Sequence, residues 1–293
     1  MRMIGFIGLG HMGTPMVKNL IKNNYSVKVF DIVDEAIQRL LPLGAQAAHS
    51  ASAIAKEADV VITMLQTGEQ VKQTCLGDNG LFAHFKRSKS LYLDCSSIDV
   101  KSSRELHEQA KAASIAMLDA PVSGGVAAAE AGTLTFMVGG EEPHLEWAFP
   151  FLAAMGKKVI HAGPAGSGVV AKICNNMILG ISMIAVSESF LLGERLGLDP
   201  KKLFDIVSNA SGQCWSLTQY CPYPSILPNV PSSHDYQPGF SAKMMLKDLE
   251  LSQDAANLAN TITKLGKEAT LLYKKFVDTG NAEVDFSGII RML

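Results

Sequence analysis

The stretch Ile4-Gly5-Phe6-Ile7-Gly8-Leu9-Gly10-His11-Met12-Gly13 decides the fold. It is a short apolar strand running straight into Gly8-x-Gly10-x-x-Gly13, with a helical pattern from Pro15 to Asn23 behind it. In such a unit the first glycine permits the tight turn, the second lets the backbone approach a pyrophosphate, and the third lets the helix pack close to the strand. The helix amides then face the phosphates. A second strand, Ser26-Val27-Lys28-Val29-Phe30, ends in Asp31, roughly 20 residues on, where such a fold sets a carboxylate against a ribose 2′-hydroxyl. Ile32 and Val33 follow Asp31, and no Arg stands there to receive a 2′-phosphate, so NAD is expected rather than NADP.

Working outward, strands alternate with helices up to about Gly163. Residues 60–65, 90–94, 116–119, 134–138 and 158–160 read as strands; 35–41, 51–56, 102–113 and 143–155 read as helices. This alternation predicts an α/β Rossmann-type, mostly parallel, doubly wound domain over residues 1–163. After Gly163-Pro164-Ala165-Gly166-Ser167-Gly168, nothing strong enough to stop a helix occurs from Val169 to about Leu196. Further helices are expected at 200–208, 243–259 and 263–279, with an irregular Pro-rich loop over 220–238. The second domain, 164–293, is therefore expected to be all-helical, to open with a long interdomain helix, and to serve substrate binding and oligomerisation.

Composition agrees with a globular protein: 293 residues, 47% hydrophobic, 18% charged and a net charge of −2. Lys and Arg are spread along the chain, which points away from nucleic acid, and no apolar run reaches the roughly 18 residues of a membrane span. The first strand begins at once, leaving no room for a signal or transit peptide, so a cytoplasmic or already processed protein is expected. The cysteines, 75, 95, 174, 214 and 221, are odd in number without a CxxC, and no histidine spacing suits a metal; reduced thiols and no metal site are expected.

Three more segments carry chemistry. Asp119-Ala120-Pro121-Val122-Ser123-Gly124-Gly125 follows a strand, at the carboxyl edge of the sheet, where a Ser hydroxyl and consecutive Gly amides can cradle a carboxylate. A plain loop with a tight Gly-Gly turn fits the same residues equally well. In Gly168-Val169-Val170-Ala171-Lys172-Ile173-Cys174-Asn175-Asn176, Lys172 and Asn176 share one helix face. Lys172 lies about a turn from a helix N-terminus, which disfavours its cationic form and suits it to proton transfer; a surface lysine is the competing reading. Lys247-Asp248 begins an amphipathic helix, where Lys247 could reach a bound anion or stand as a solvated charge pair.

Together, Gly8–Gly13, Asp119–Gly125, Lys172–Asn176 and Lys247-Asp248 stand in the order and spacing of the β-hydroxyacid dehydrogenase family, which the chain resembles from the first strand to Phe286. Ser211-Gly212-Gln213-Cys214-Trp215-Ser216, Val230-Pro231-Ser232 and Tyr236-Gln237-Pro238-Gly239-Phe240 resemble its branch acting on 3-hydroxyisobutyrate. The resemblance implies NAD-linked oxidation of that acid to its semialdehyde in valine breakdown. It makes Lys172 the acid/base, lets Asn176 hold the substrate oxygen, and gives the carboxylate to Ser123, Gly124 and Gly125. It sets Lys247, Leu65, Gln66, Ser97 and Gln70 against the cofactor, beside Gly8, Leu9, Gly10, His11, Met12, Gly13 and Asp31. Departures are Gln66 for a frequent Pro, His11 for Asn, Ser97 for Thr and Gln213 for Arg; the last bears on substrate selectivity. Reductases of tartronate or succinic semialdehyde remain the nearer alternative, and a non-catalytic module of the same fold the distant one. The long helix and apolar second domain suggest a homodimer or homotetramer, since so long a helix needs cover on several sides.

Overall fold

The structure, a computed structural model, describes residues 2–85 and 90–293. It resolves into two compact units, one ending at Lys172 and one running from Ile173 to Leu293, each taken by itself below.

In the first unit β1 (Met3–Ile7), α1 (Gly13–Lys22), β2 (Ser26–Phe30), α2 (Asp34–Gln38), β3 (Gln46–Ala47), α3 (Ala51–Glu57), β4 (Val60–Thr63), α4 (Gly68–Leu76), α5 (Leu81–His84), β5 (Leu91–Asp94), α6 (Val100–Ala112) and β6 (Ala116–Asp119) follow in chain order. They are completed by β7 (Val122–Ser123), α7 (Gly125–Ala131), β8 (Leu134–Gly139), α8 (Glu142–Met155) and β9 (Gly156–Gly163). Among the described residues the sheet order is β3-β2-β1-β4-β5-β6-β8-β7, with β9 on β8. The strands from β3 to β6 are parallel, which makes this the doubly wound sheet expected from the alternation.

The strand sequences reflect their places. The central β4 and β5 are buried along their whole length, because helices cover both faces of a parallel sheet, so they read as unbroken apolar runs. Nearer the edge, β2 alternates: Val27 and Val29 are buried while Lys28 reaches out to Glu57 at 2.5 Å. On α1, Gly13, Met16, Val17 and Leu20 make one buried stripe.

Some sequence expectations need correction here. Val122 and Ser123, which the sequence places after a strand as a carboxylate cradle or a plain loop, form a short strand antiparallel to β8, and Gly125 opens α7. Helices α4 and α5 stand where the sequence shows no helical pattern. The expected helix over 263–279 is α13 (Lys264–Phe276) followed by a wider turn, Val277–Asn281, whose Gly280 leaves helical geometry at φ +92°.

The long helix, α9 (Ser167–Arg195), runs 29 residues. By length and composition it is long and apolar enough to cross a membrane. Asn175, Asn176, Ser182 and Ser187 interrupt the apolar residues, so no contiguous apolar run is long, yet the helix as a whole stays apolar. Burial accounts for part of this apolarity: Met183 packs with Met245, Leu249 and Tyr273, and Val186 and Phe190 with Leu217 and Cys221, while Ile178 and Leu192 stay exposed. Both clusters lie in the second unit, which is helical: α10 (Pro200–Val207), α11 (Trp215–Thr218), α12 (Ala242–Leu258) and α13 follow α9. At Gly180 a Cβ would lie 3.0 Å from Leu249, so α12 crosses α9 closely there.

Near the C-terminus, Asp285 has no exposed surface and accepts five hydrogen bonds. Tyr220 Oη and the amides of Gly239 and Phe240 each donate to Oδ2 at 3.0 Å; Ser287 donates to Oδ1 from N at 3.0 Å and Oγ at 2.7 Å. Burial nevertheless pushes this carboxyl above the usual range. Trp215 stacks on Tyr220 at 5.0 Å, and Tyr220 on Phe286 at 5.4 Å.

Candidate active site

The parallel strands of the first unit bring their carboxyl ends into one line. Ile7 pairs with Phe30 and Thr63, Thr63 with Asp94, and Asp94 with Asp119. Just beyond these ends lie the glycine loop, Asp31, Leu65 and Gln66, Ser97, and Ser123 to Gly125, so residues distant in sequence share one edge, where open α/β sheets bind ligands.

Gly8 takes φ +96°, and its amide donates to Phe30 O at 3.1 Å. A Cβ on Gly13 would lie 1.9 Å from Gly8 O, which is why only glycine lets α1 start against the strand. A Cβ on Gly10 would meet nothing within 4 Å, and α1 has neither a side-chain cap nor an acid in its first turn. The loop therefore presents open space beneath helix amides that lack a side-chain acceptor, which fits a dinucleotide pyrophosphate. Asp31 Oδ2 accepts from Leu9 N at 2.6 Å and Oδ1 from Val33 N at 2.9 Å, clamping the carboxylate to the loop while each oxygen keeps a lone pair for a ribose hydroxyl. Exposed Ile32 stands next to it. His11 is exposed and Met12 half-buried.

The β4 and β5 ends form a second cluster. Leu65 N donates to Ser96 Oγ at 2.9 Å, Gln66 N to Gln70 Oε1 at 3.1 Å, and Gln70 N to Thr67 Oγ1 at 3.2 Å, so Gln70 shapes the loop that carries Leu65 and Gln66. Ser97 is half-buried next door. Sequence reasoning missed Ser96, and also Asp94, whose Oδ1 accepts from Thr63 Oγ1 at 2.9 Å and Ser96 N at 3.1 Å. Asp94 Oδ2 is buried with no hydrogen-bond partner among the described residues. Burial, with a smaller push from the Asp119 charge, raises this carboxyl to about 6 despite the Ser96 and Thr63 donors. A carboxyl raised from the usual range binds its proton more tightly folded than unfolded. Its contribution is greatest below the unfolded value of 3.8 and is lost as pH rises toward 6. Asp94→Asn, which mimics the protonated form, should therefore gain about 2 kcal/mol on the wild type between pH 4 and pH 8, measured by urea unfolding.

Ser123 is half-buried, and Gly124 (φ +133°) and Gly125 (φ +67°) open α7 without a side-chain cap. Lys172, the sixth residue of α9, is half-buried, and Asn176 lies one turn further along.

Asn176 belongs to the second unit and is 2% exposed. Its Nδ2 donates to Asp248 Oδ2, and its Oδ1 accepts from Asn175 Nδ2 at 2.9 Å, which fixes the amide's orientation and leaves one N–H. Lys247 Nζ stands 3.9 Å from Asp248 Oδ1. Since α12 starts at Ala242, this pair lies in its second turn and does not begin it.

Fold and loop thus define an NAD-binding oxidoreductase of the doubly wound class. Residues 3–163 match the model of the NAD-binding domain of 6-phosphogluconate dehydrogenase, and residues 166–293 that of the NAD-binding domain of NADP-dependent 3-hydroxyisobutyrate dehydrogenase. The chain belongs to the β-hydroxyacid dehydrogenase family. It is 47% identical over 292 residues to an NAD-dependent L-serine dehydrogenase of Pseudomonas aeruginosa, covering 100% of this chain and 98% of that protein. It is 42% identical over 290 residues to the mitochondrial 3-hydroxyisobutyrate dehydrogenase of Bos taurus, covering 99% and 86%. A solved Mycobacterium tuberculosis 3-hydroxyisobutyrate dehydrogenase with L-serine superposes with a TM-score of 0.94 at 43% identity, covering 100% and 99%.

Proposed function

We propose that the protein oxidises 3-hydroxyisobutyrate to methylmalonate semialdehyde with NAD, a step of valine breakdown. The observation that carries this reading is the full-length likeness to 3-hydroxyisobutyrate dehydrogenases, in sequence and in fold. NAD, when bound, supplies the hydride acceptor. Lys172 Nζ, as the neutral amine, takes the proton of the substrate hydroxyl and returns it in the reverse direction. Asn176 holds the same oxygen through its remaining N–H. The Ser123 hydroxyl and the Gly124 and Gly125 amides take the carboxylate. Lys247, Leu65, Gln66, Gln70 and Ser97 flank the cofactor, and the Asp31 carboxylate favours a free 2′-hydroxyl over a 2′-phosphate by charge. The exposed Leu258, Ile262 and Leu265 of the second unit support assembly into a homo-oligomer.

A second reading, oxidation of L-serine, is favoured by the Pseudomonas aeruginosa relative. Both acids are 3-hydroxypropanoates substituted at C2, by a methyl or an ammonium group, so loop and lysine chemistry serve either. Turnover of NAD and of NADP with 3-hydroxyisobutyrate, L-serine, glycerate, 3-hydroxypropionate and 4-hydroxybutyrate tests the proposal. The highest kcat/KM is expected for 3-hydroxyisobutyrate with NAD. A higher value for L-serine moves the substrate and keeps the chemistry; preference for NADP contradicts the role given to Asp31.

A further inference from the structure

The carboxylate of Asp119, at the end of β6, is fully buried and collects three donors. His107 Nε2, from α6, meets Oδ1 at 2.8 Å; Gly166 N donates to Oδ1 and Val169 N to Oδ2, each at 2.8 Å. A carboxylate only accepts, so His107 carries a proton on Nε2. Gly166 precedes α9 and Val169 is its third residue. Asp119 thus does for α9 what an N-cap side chain does for an ordinary helix, although it comes from a strand 50 residues upstream of Val169. The fit is close: a Cβ on Gly139 would lie 2.4 Å from Asp119 Oδ1, and one on Gly168 would lie 2.3 Å from Met137 O and 2.9 Å from Asp119 Oδ2. No acid of the helix itself occupies that first turn. The next turn carries Lys172, three residues beyond Val169.

We propose that the His107–Asp119 pair is the positioning device of the catalytic lysine. Asp119 fixes the height and rotation of the first turn of α9 against the sheet edge, and His107 holds Asp119 to both backbone donors. The inference rests on Lys172 being the acid/base. It assigns to two side chains outside the substrate and cofactor contacts a share of the rate, because a displacement of about 1 Å at a reacting group can cost around a hundredfold. A carboxylate this deeply buried is costly unless its donors stay in place, so the arrangement is sensitive to loss of a single partner.

The test uses the full chain with NAD and whichever of 3-hydroxyisobutyrate or L-serine turns over faster. His107→Ala should lower kcat by about tenfold or more while KM for NAD changes by less than about twofold. His107→Gln, whose amide Nε2–H can donate to the same oxygen, should recover most of that loss. Asp119→Asn should lower kcat by about a hundredfold, since an amide cannot accept on both sides. Amide exchange over residues 164–172 should quicken in His107→Ala and Asp119→Asn, with the peptides of α1 unchanged. Wild-type kcat in His107→Ala overturns the proposal; so does a loss that His107→Gln does not recover, since that would mark a packing role. Lys172→Ala, run alongside, separates the failures. If it retains turnover, the acid/base reading falls and the inference with it. If it is inactive while His107→Ala is normal, only the inference falls.

Discussion

Lys172→Arg should lower kcat/KM by roughly 10²–10⁴-fold, the range general acid–base help provides, while leaving NAD affinity within about twofold. The reasoning is chemical. A guanidinium stays protonated at any working pH, so Arg keeps the charge and much of the length of Lys yet cannot accept a hydroxyl proton. Lys172→Ala should lose turnover to a similar degree, and NAD binding should persist because the glycine loop and Asp31 are untouched. Fluorescence titration with NAD beside steady-state turnover makes the separation. Near-wild-type rates in Lys172→Arg would show that the lysine acts by charge alone and would remove it as acid/base.

Asp285→Ala should lower the melting temperature by about 10 °C or more, followed by circular dichroism. The substitution leaves Tyr220 Oη, three backbone amides and Ser287 Oγ without the acceptor they share. Each buried donor left unsatisfied costs about 1–3 kcal/mol, against a total stability of about 5–15 kcal/mol for a domain. Asp285→Asn, which keeps one carbonyl acceptor, should fall between the two. A melting temperature in Asp285→Ala close to that of the wild type would mean that water or a rearranged loop replaces the carboxylate, and that the C-terminal segment is not held by it.

What the sequence made legible was what it stores locally. The Gly8–Gly13 loop, Asp31 and the parallel alternation are patterns of spacing, and the structure adds to them a contact that spacing cannot give, the 2.6 Å hydrogen bond from Leu9 to Asp31. The long helix could be read because Val169 to Leu196 contains nothing that breaks a helix. Helix α7 could not, because Gly124-Gly125 reads as a turn until one sees that Gly124 precedes its first residue. Helix α4 offers only Val71 and Cys75 as buried side chains of its inner face, too few for periodicity to register, although Thr67 caps it. The supporting shell was hidden for a different reason. Ser96 meets Leu65 across 31 residues, and Asp119 meets Val169 across 50, so those partnerships exist only once the sheet has aligned its carboxyl ends.

A single competition experiment tests the central claim most directly. Equal concentrations of 3-hydroxyisobutyrate and L-serine share one vessel with the wild-type protein and limiting NAD, and the loss of each acid is followed by NMR. The ratio of initial rates is the ratio of kcat/KM values. Faster consumption of 3-hydroxyisobutyrate, matched by formation of its semialdehyde and of NADH, is the predicted result. Faster consumption of L-serine would contradict the proposed substrate, and consumption of neither, in a protein that binds NAD, would contradict both substrate readings.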